Sequence, residues 1–92
     1  MAKIRVMVYT TLRARLGFSR IELAGGTVLE LLSKLAASGT ADVSGLLFEP
    51  GGAVRQHFVL TLNSEILDNK RTAKARVKAG DILHVFPPIS GG

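Results

Sequence analysis

Cysteine and tryptophan are both absent from the 92 residues of this chain. Without cysteine, the sequence excludes a disulfide scaffold, a thiolate zinc site and a cysteine nucleophile. Its apolar runs are far shorter than the ~18 residues that a membrane span needs, and the first residues show no signal-peptide pattern. We therefore expect a cytoplasmic protein with no membrane partner.

Acidic residues are also few. Seven Asp and Glu stand against twelve Lys and Arg, which gives a formal net charge of +5. Hydrophobic residues make up 47% of the chain and charged residues 21%, a composition typical of a folded globular protein and not of a disordered one. The length suits a single domain with one small core.

Alternation of apolar and polar residues with a period of two predicts four β-strands. The segments are 3–9, 20–23, 58–62 and 82–86, and the pair Ile66-Leu67 indicates a brief extra strand. In the first segment Ile4, Val6 and Val8 share one face. Two prolines, Pro87 and Pro88, must end the last strand, because proline cannot donate a ladder hydrogen bond.

One helix is predicted over residues 28–38. Thr27 and Glu30 have the spacing of a capping box, in which each side chain satisfies a backbone N–H at the helix start. Gly39 is expected to end the helix. Residues 12–16 stay undecided between helix and strand, and residues 43–48 indicate a short helical turn. The apolar face of the main helix consists of Val28, Leu31, Leu32, Leu35 and Ala36.

The order strand, strand, helix, strand, strand predicts an α+β fold. A helix between strands allows a crossover and therefore some parallel pairing, whereas the first two strands form an antiparallel hairpin. We expect a mixed sheet of four or five strands with one main helix packed across one face.

A search for catalytic groups finds little. His57 and His84 both fall in strand patterns and are interpreted as strand-surface residues. The seven carboxylates include no evident acid–base pair, and Gly25-Gly26-Thr27 lacks the lysine of a phosphate loop. We expect no metal site and no self-sufficient enzyme.

A basic stretch precedes the last strand and contains five cations within nine residues: Lys70, Arg71, Lys74, Arg76 and Lys78. It is interpreted either as a solvated loop or as an electrostatic docking surface for an acidic protein or for nucleic acid. No aromatic residue interrupts it, so base stacking is not supported and a nucleic-acid partner is not favoured.

The C-terminus carries the strongest functional signal. The last strand ends at Phe86, and two prolines stiffen the exit of the chain. Ile89 and Ser90 form a short spacer before Gly91-Gly92. Glycines without side chains make a tail thin enough to enter a narrow cleft and present its carboxylate.

This ending, Phe-Pro-Pro-x-Ser-Gly-Gly, resembles that of the MoaD family, the small subunits of molybdopterin synthase. Thr27-Val28 before a leucine-rich helix and Leu62-Asn63 at the end of the third strand are similar to the same family. The opening of the chain resembles the family's first strand and turn in Ile4-Arg5-Val6, Tyr9, Leu12, Arg13 and Gly17. The chain is therefore identified as a member of the MoaD/ThiS group of ubiquitin-like sulfur carriers.

The resemblance implies a ubiquitin-like β-grasp domain over residues 1–88 and a flexible tail over residues 89–92. A MoeB-type activating enzyme would use ATP to adenylate the carboxylate of Gly92, and sulfur from a sulfurtransferase would then convert it to a thiocarboxylate. No cofactor would stay bound. Gly91, Ser90 and Ile89 would insert into a MoaE-type large subunit, where sulfur builds the dithiolene of molybdopterin. Phe86, Pro87 and Pro88 would form the tail exit and contact the partner.

Several alternatives remain open. The same activated carboxylate would serve a ubiquitin-like modifier that is joined to lysines of other proteins. It would also serve a sulfur carrier for cysteine or thiamine biosynthesis, although the Phe86-Pro87-Pro88 ending counts against thiamine. The basic composition differs from that of many MoaD proteins, which implies a docking surface for a differently charged partner. The segment 46–58 is longer than in compact MoaD proteins and is more similar to that of carriers for cysteine biosynthesis and of protein modifiers. A basic RNA-binding module is the most distant alternative.

Overall fold

The fold is given by a computed structural model, which describes residues 3–39 and 41–87. In this part of the chain no helix is long and apolar enough to cross a membrane. The elements in chain order are β1 (Lys3–Val8), α1 (Thr10–Leu16), β2 (Arg20–Ala24), α2 (Val28–Ala37), α3 (Ala41–Leu47), β3 (Val59–Leu62), β4 (Glu65–Ile66), a kinked 3₁₀ helix (Asn69–Lys74) and β5 (Ile82–Phe86).

The strands form one five-stranded sheet in the order β2-β1-β5-β3-β4. β1 is antiparallel to β2 and parallel to β5, and β3 is antiparallel to both β4 and β5. The prediction of a mixed sheet is therefore confirmed. The parallel pair lies at the centre, so the first and last described strands are neighbours although the whole chain separates them.

The core lies between the sheet and α2, as the alternation predicted. Ile4, Val6 and Val8 of β1 are at most 1% exposed, and the predicted apolar face of α2 is buried against them. Leu60, Leu83 and Val85 complete the sheet side of this core. One face of the sheet is thus covered by helix and the other is open.

The start of α2 has the Thr27 half of the predicted capping box. Thr27 Oγ1 accepts a hydrogen bond from the backbone N–H of Glu30 at 3.3 Å. At the other end the helix stops at Ala37, and Gly39 does not have the left-handed φ of a glycine cap. A Cβ on Gly39 would lie 2.8 Å from Leu16 Cδ2 and 2.9 Å from Val43 Cγ2. Glycine therefore allows α1, α2 and α3 to pack closely.

Residues 12–16, which the sequence left undecided, and residues 43–48, where it indicated only a helical turn, both correspond to helices. α1 follows β1 directly and ends at Gly17, whose φ of 84° suits glycine. α3 places Val43 and Leu47 in the core, and this bears out the helical turn expected there. His57, in contrast, is not a strand residue, because β3 begins only at Val59 and His57 lies in the preceding turn.

The turn before β5 is held by Asp81. Its carboxylate accepts hydrogen bonds from the backbone N–H of Lys78 at 2.9 Å and from Asn63 Nδ2 at 3.2 Å. The Lys78 N–H bond, together with the Asn63 bond, lowers the pKa of Asp81 below its usual value. This carboxylate thereby fixes the point at which the chain enters β5.

Replacing Leu32 by alanine tests the core. Leu32 is fully buried on α2, so Leu32→Ala is expected to lower the free energy of unfolding by ~2–5 kcal/mol. Urea unfolding measures the change. Ser33→Ala, one residue further on the exposed side of the same helix, is the matched control and should leave the midpoint nearly unchanged. Equal midpoints for the Leu32 variant and the wild type would contradict this core.

Replacing Asp81 by asparagine tests the turn. Because the folded pKa of Asp81 lies below its unfolded value of about 3.9, its charge stabilises the fold fully above that pH and progressively less as the pH falls through the folded pKa. The wild type should therefore be more stable than Asp81→Asn at neutral pH, and the difference should shrink on acidification. Urea unfolding over a series of pH values measures it. A difference independent of pH would contradict the assignment.

Candidate functional site

The open face of the sheet ends where the C-terminal tail begins. Alternation along β5 buries Leu83 and Val85 and leaves Ile82, His84 and Phe86 on the face opposite α2. Phe86 is the last residue of the strand. Any partner that takes up the tail therefore meets this corner of the sheet first.

Three aromatic rings stack at this corner. Tyr9 lies on Phe86 with ring centroids 4.4 Å apart and planes 10° apart, and the ring of His84 lies about equally far from both, at 5.9 and 6.0 Å. The hydroxyl of Tyr9 and Nδ1 of His84 are hydrogen-bonded at 2.7 Å. The parallel register, with Val8 beside Val85, brings Tyr9 to the end of β5.

Apolar side chains extend the stack across the sheet. Val59 of β3 is paired with Phe86, and Ile66 of β4 is paired with Thr61 in the same β3 strand. Phe86, Val59 and Ile66 are 36%, 46% and 78% exposed. We call Tyr9, Val59, Ile66, His84 and Phe86 the exit face. A group of exposed apolar residues beside a functional terminus is typical of a protein docking surface.

Pro87 lies differently from its neighbour Phe86. It is buried and lines a groove of about 320 Å³ together with Leu12, Leu46 and Phe58. The proline therefore anchors the end of β5 to the domain, and Phe86 is the exposed residue of the exit. Pro88 and the predicted tail residues Ile89, Ser90, Gly91 and Gly92 lie outside the described residues.

The basic stretch is not part of the exit face. Lys70, Arg71 and Lys74 lie on the 3₁₀ helix, which packs against α2, and Arg76 and Lys78 follow it. All five side chains are exposed. Lys78 stands before β5 and the exit lies after it, so the length of that strand, roughly 13 Å, separates Lys78 from Phe86. Lys70, in contrast, lines a groove with Val59 and Ile66, so this end of the basic stretch borders the exit face.

The described residues contain no group of three His, Cys, Asp or Glu that could hold a metal ion. His57 lies in an exposed turn, and His84 is taken up by the aromatic stack.

The link between Tyr9 and His84 could not be predicted from sequence. Both residues alternate with core positions, which shows that each faces away from the helix. Their contact depends on the parallel pairing of β1 with β5, which joins residues 75 positions apart. Only the order of the strands reveals it.

A mixed five-stranded sheet with a helix across one face is the ubiquitin-like β-grasp fold. The chain matches the ThiS family over residues 6–92 and belongs to that family. It is thus a member of the superfamily of ubiquitin-like sulfur carriers and modifiers. No curated protein sequence matches it.

Solved structures agree with this fold. SAMP1 from Haloferax volcanii is 22% identical, with a TM-score of 0.85 over 99% of this chain and 100% of that chain. A chain of the Amycolatopsis orientalis BexX/CysO complex is 27% identical, with a TM-score of 0.77 over 97% and 99%. A Pyrococcus furiosus protein provisionally described as molybdopterin converting factor, subunit 1, is 19% identical, with a TM-score of 0.66 over 97% and 100%.

Replacing Tyr9 by phenylalanine tests how much its hydroxyl contributes to stability, apart from the contribution of its ring. Tyr9→Phe removes the bond to His84 but keeps the stack on Phe86, so we expect a stability loss of ~0.5–1.5 kcal/mol. Tyr9→Ala removes both contacts and should cost more. Urea unfolding measures stability, and NMR shifts of the Phe86 ring protons report the stack. Unchanged Phe86 shifts in Tyr9→Ala would contradict the stacking.

Proposed function

We propose that this chain is a sulfur carrier whose terminal carboxylate, on Gly92, becomes a thiocarboxylate, and that it acts as the small subunit of molybdopterin synthase. The observation that supports a carrier is the family match, which runs to residue 92 and includes the diglycine end. The exposed aromatic corner at Phe86, the last residue before the tail segment, supports a role in which partner proteins bind the domain there.

The chemistry requires activation because a carboxylate is a poor electrophile. An oxygen of Gly92 attacks the α-phosphate of ATP, which gives an acyl-adenylate and releases pyrophosphate. Hydrosulfide then attacks the acyl carbon, the C–O bond to AMP breaks, and the products are a thiocarboxylate and free AMP. ATP is a substrate of the activating enzyme and is not held by this chain. The absence of cysteine fits, since sulfur would travel on the acyl carbon.

The domain contributes binding and presentation. The exit face offers Tyr9, Val59 and Phe86 as apolar contacts for the activating enzyme and for the large synthase subunit. Buried Pro87 holds the base of the tail in a constant direction. Ile89, Ser90 and Gly91 would then enter the partner's cleft as a thin strand. The catalytic groups would belong to the partners, of MoeB and MoaE type.

Molybdopterin is proposed as the destination because of the tail sequence, Phe86-Pro87-Pro88-Ile89-Ser90-Gly91-Gly92, which resembles the MoaD ending. In that role the MoaE-type subunit accepts the tail, and sulfur passes to cyclic pyranopterin monophosphate. A second candidate function is that of a sulfur carrier that delivers sulfur to a partner other than a MoaE-type subunit. It is favoured by the 27% identity to a chain of the complex in which CysO of Amycolatopsis orientalis is bound to BexX.

Mass spectrometry of the C-terminal peptide, from protein purified out of its native cell, tests the carrier function. We expect one terminal oxygen exchanged for sulfur on the peptide ending in Gly91-Gly92. The peptide must be resolved from the rest of the chain, because oxidation of Met1 or Met7 changes the mass by nearly the same amount. An isopeptide bond to lysine would identify a modifier instead, and a tail unmodified in the presence of activating enzyme and sulfur would contradict both.

Two variants separate chemistry from docking. Deleting Gly92 should abolish adenylation and leave stability unchanged, since a terminus has few core contacts. Phe86→Ala should slow adenylation about tenfold or more, as loss of an aromatic contact at a docking surface does. Leu29→Ala is the control, because Leu29 is a partly exposed apolar residue on α2, away from both the exit face and the Pro87 groove. Pyrophosphate release measures all three, and equal rates for the Phe86 and Leu29 variants would contradict docking through the exit face.

A further inference from the structure

The basic stretch ends in a short extended segment with one charged side. Ala75 and Val77 turn inward and pack on the core, whereas Lys74, Arg76 and Lys78 are exposed at the alternate positions. Lys74 is the last residue of the 3₁₀ helix, and the backbone becomes extended at Ala75, with φ −83° and ψ 97°. Alternate residues of extended chain are about 7 Å apart, so Lys74 and Lys78 flank Arg76 at about that spacing. We call these three residues the basic strip.

One edge of the strip is paired and the other is open. Arg76 forms an antiparallel bridge with Thr27, closed by bonds from Val28 N to Ala75 O at 2.9 Å and from Val77 N to Gly26 O at 3.0 Å. In this pattern the N–H and C=O of Arg76 point away from Thr27. Within residues 3–39 and 41–87 no backbone group bonds to them.

The charges of the strip are only partly offset: besides the hydrogen bonds from the Lys78 N–H and from Asn63, the positive charge of Lys78 also lowers the pKa of Asp81. Among the described residues no carboxylate forms an ion pair with Lys74, Arg76 or Lys78. Asp81 is the acid next to the strip, and its carboxylate is occupied by the backbone N–H of Lys78 and by Asn63. Arg71 of the neighbouring 3₁₀ helix has a partner in Asp68 at 3.8 Å, an exposed pair of small energetic value.

We propose that the basic strip is a docking edge for an extended, acidic segment of a partner protein. Such a segment would pair its backbone with the free N–H and C=O of Arg76. Carboxylates at every second position of the segment would face Lys74, Arg76 and Lys78, because both chains repeat with a period of two. Backbone pairing supplies the alignment and charge supplies the selectivity.

An acidic protein fits this surface better than nucleic acid does. The five aromatic residues of the chain stand at positions 9, 18, 48, 58 and 86, so none interrupts the basic stretch to stack on a base. A free N–H and C=O on one residue, flanked by alternating cations, match the backbone of an extended peptide. A phosphodiester backbone could accept a hydrogen bond from the N–H of Arg76, but it has no donor for the C=O.

The strip lies at the opposite end of β5 from Phe86, so its partner differs in position from the one that takes the tail. This inference is independent of the proposed function, since it concerns a surface that neither the tail nor the exit face contains.

The test is binding of a fluorescent, end-capped peptide in which Glu and Thr alternate, measured by anisotropy. We expect the wild type to bind it, with affinity that falls as salt rises. The triple variant Lys74→Glu, Arg76→Glu, Lys78→Glu should bind at least about tenfold more weakly. A second triple variant with Gln at the same positions serves if the reversed charges impair folding.

Four controls make the outcome specific. The triple variant Lys3→Glu, Arg13→Glu, Arg20→Glu changes net charge equally at exposed sites elsewhere and should retain binding. A chain lacking Gly91 and Gly92 should bind as the wild type does. A peptide of the same composition with its Glu residues in one block, and an alternating peptide with N-methylated backbone amides, should both bind more weakly.

Five results would overturn the proposal. Four of them are absence of peptide binding to the wild type at low salt, equal losses in the strip and control variants, equal affinity for the N-methylated peptide, and loss of binding on tail deletion. The fifth is an oligouridylate of equal charge that binds the strip more tightly than the peptide, which would favour RNA as the partner.

Discussion

The parallel pairing of β1 with β5 is the contact on which the rest of this structure depends. It joins the beginning of the chain to its end, places both strands at the centre of the sheet and buries Val6 beside Leu83. Because parallel strands end at the same edge, Tyr9 reaches Phe86 where the tail leaves. The chain therefore leaves the described part of the fold from a strand at the centre of the sheet.

The two ends of β5 have different chemistry. At the start, Asp81 fixes the turn and the neighbouring surface is cationic. At the end, the surface is aromatic and apolar, and Pro87 is buried. A carrier must be recognised by more than one protein while its terminus is in use. Separate surfaces of contrasting character allow contacts at one end without blocking the other.

Several local features could be predicted from sequence because they depend on neighbours within a few residues. The Thr27 cap and the face of α2 that contains Leu32 are examples. Gly39 shows the limit of such reasoning. Its position after a helix suggests a left-handed cap, but the reason for glycine is the approach of Leu16 and Val43 from two other helices. His57 was wrongly placed in a strand because alternation continues into the turn before β3.

The sequence by itself determined the class of fold and the ends of β5, since these follow from periodicity and from proline. The tertiary structure alone decided the strand order, the stack of Tyr9 with His84 and Phe86, and the open backbone edge at Arg76. Those features join residues far apart along the chain. Local patterns specify which face a side chain occupies, but only packing specifies its neighbour.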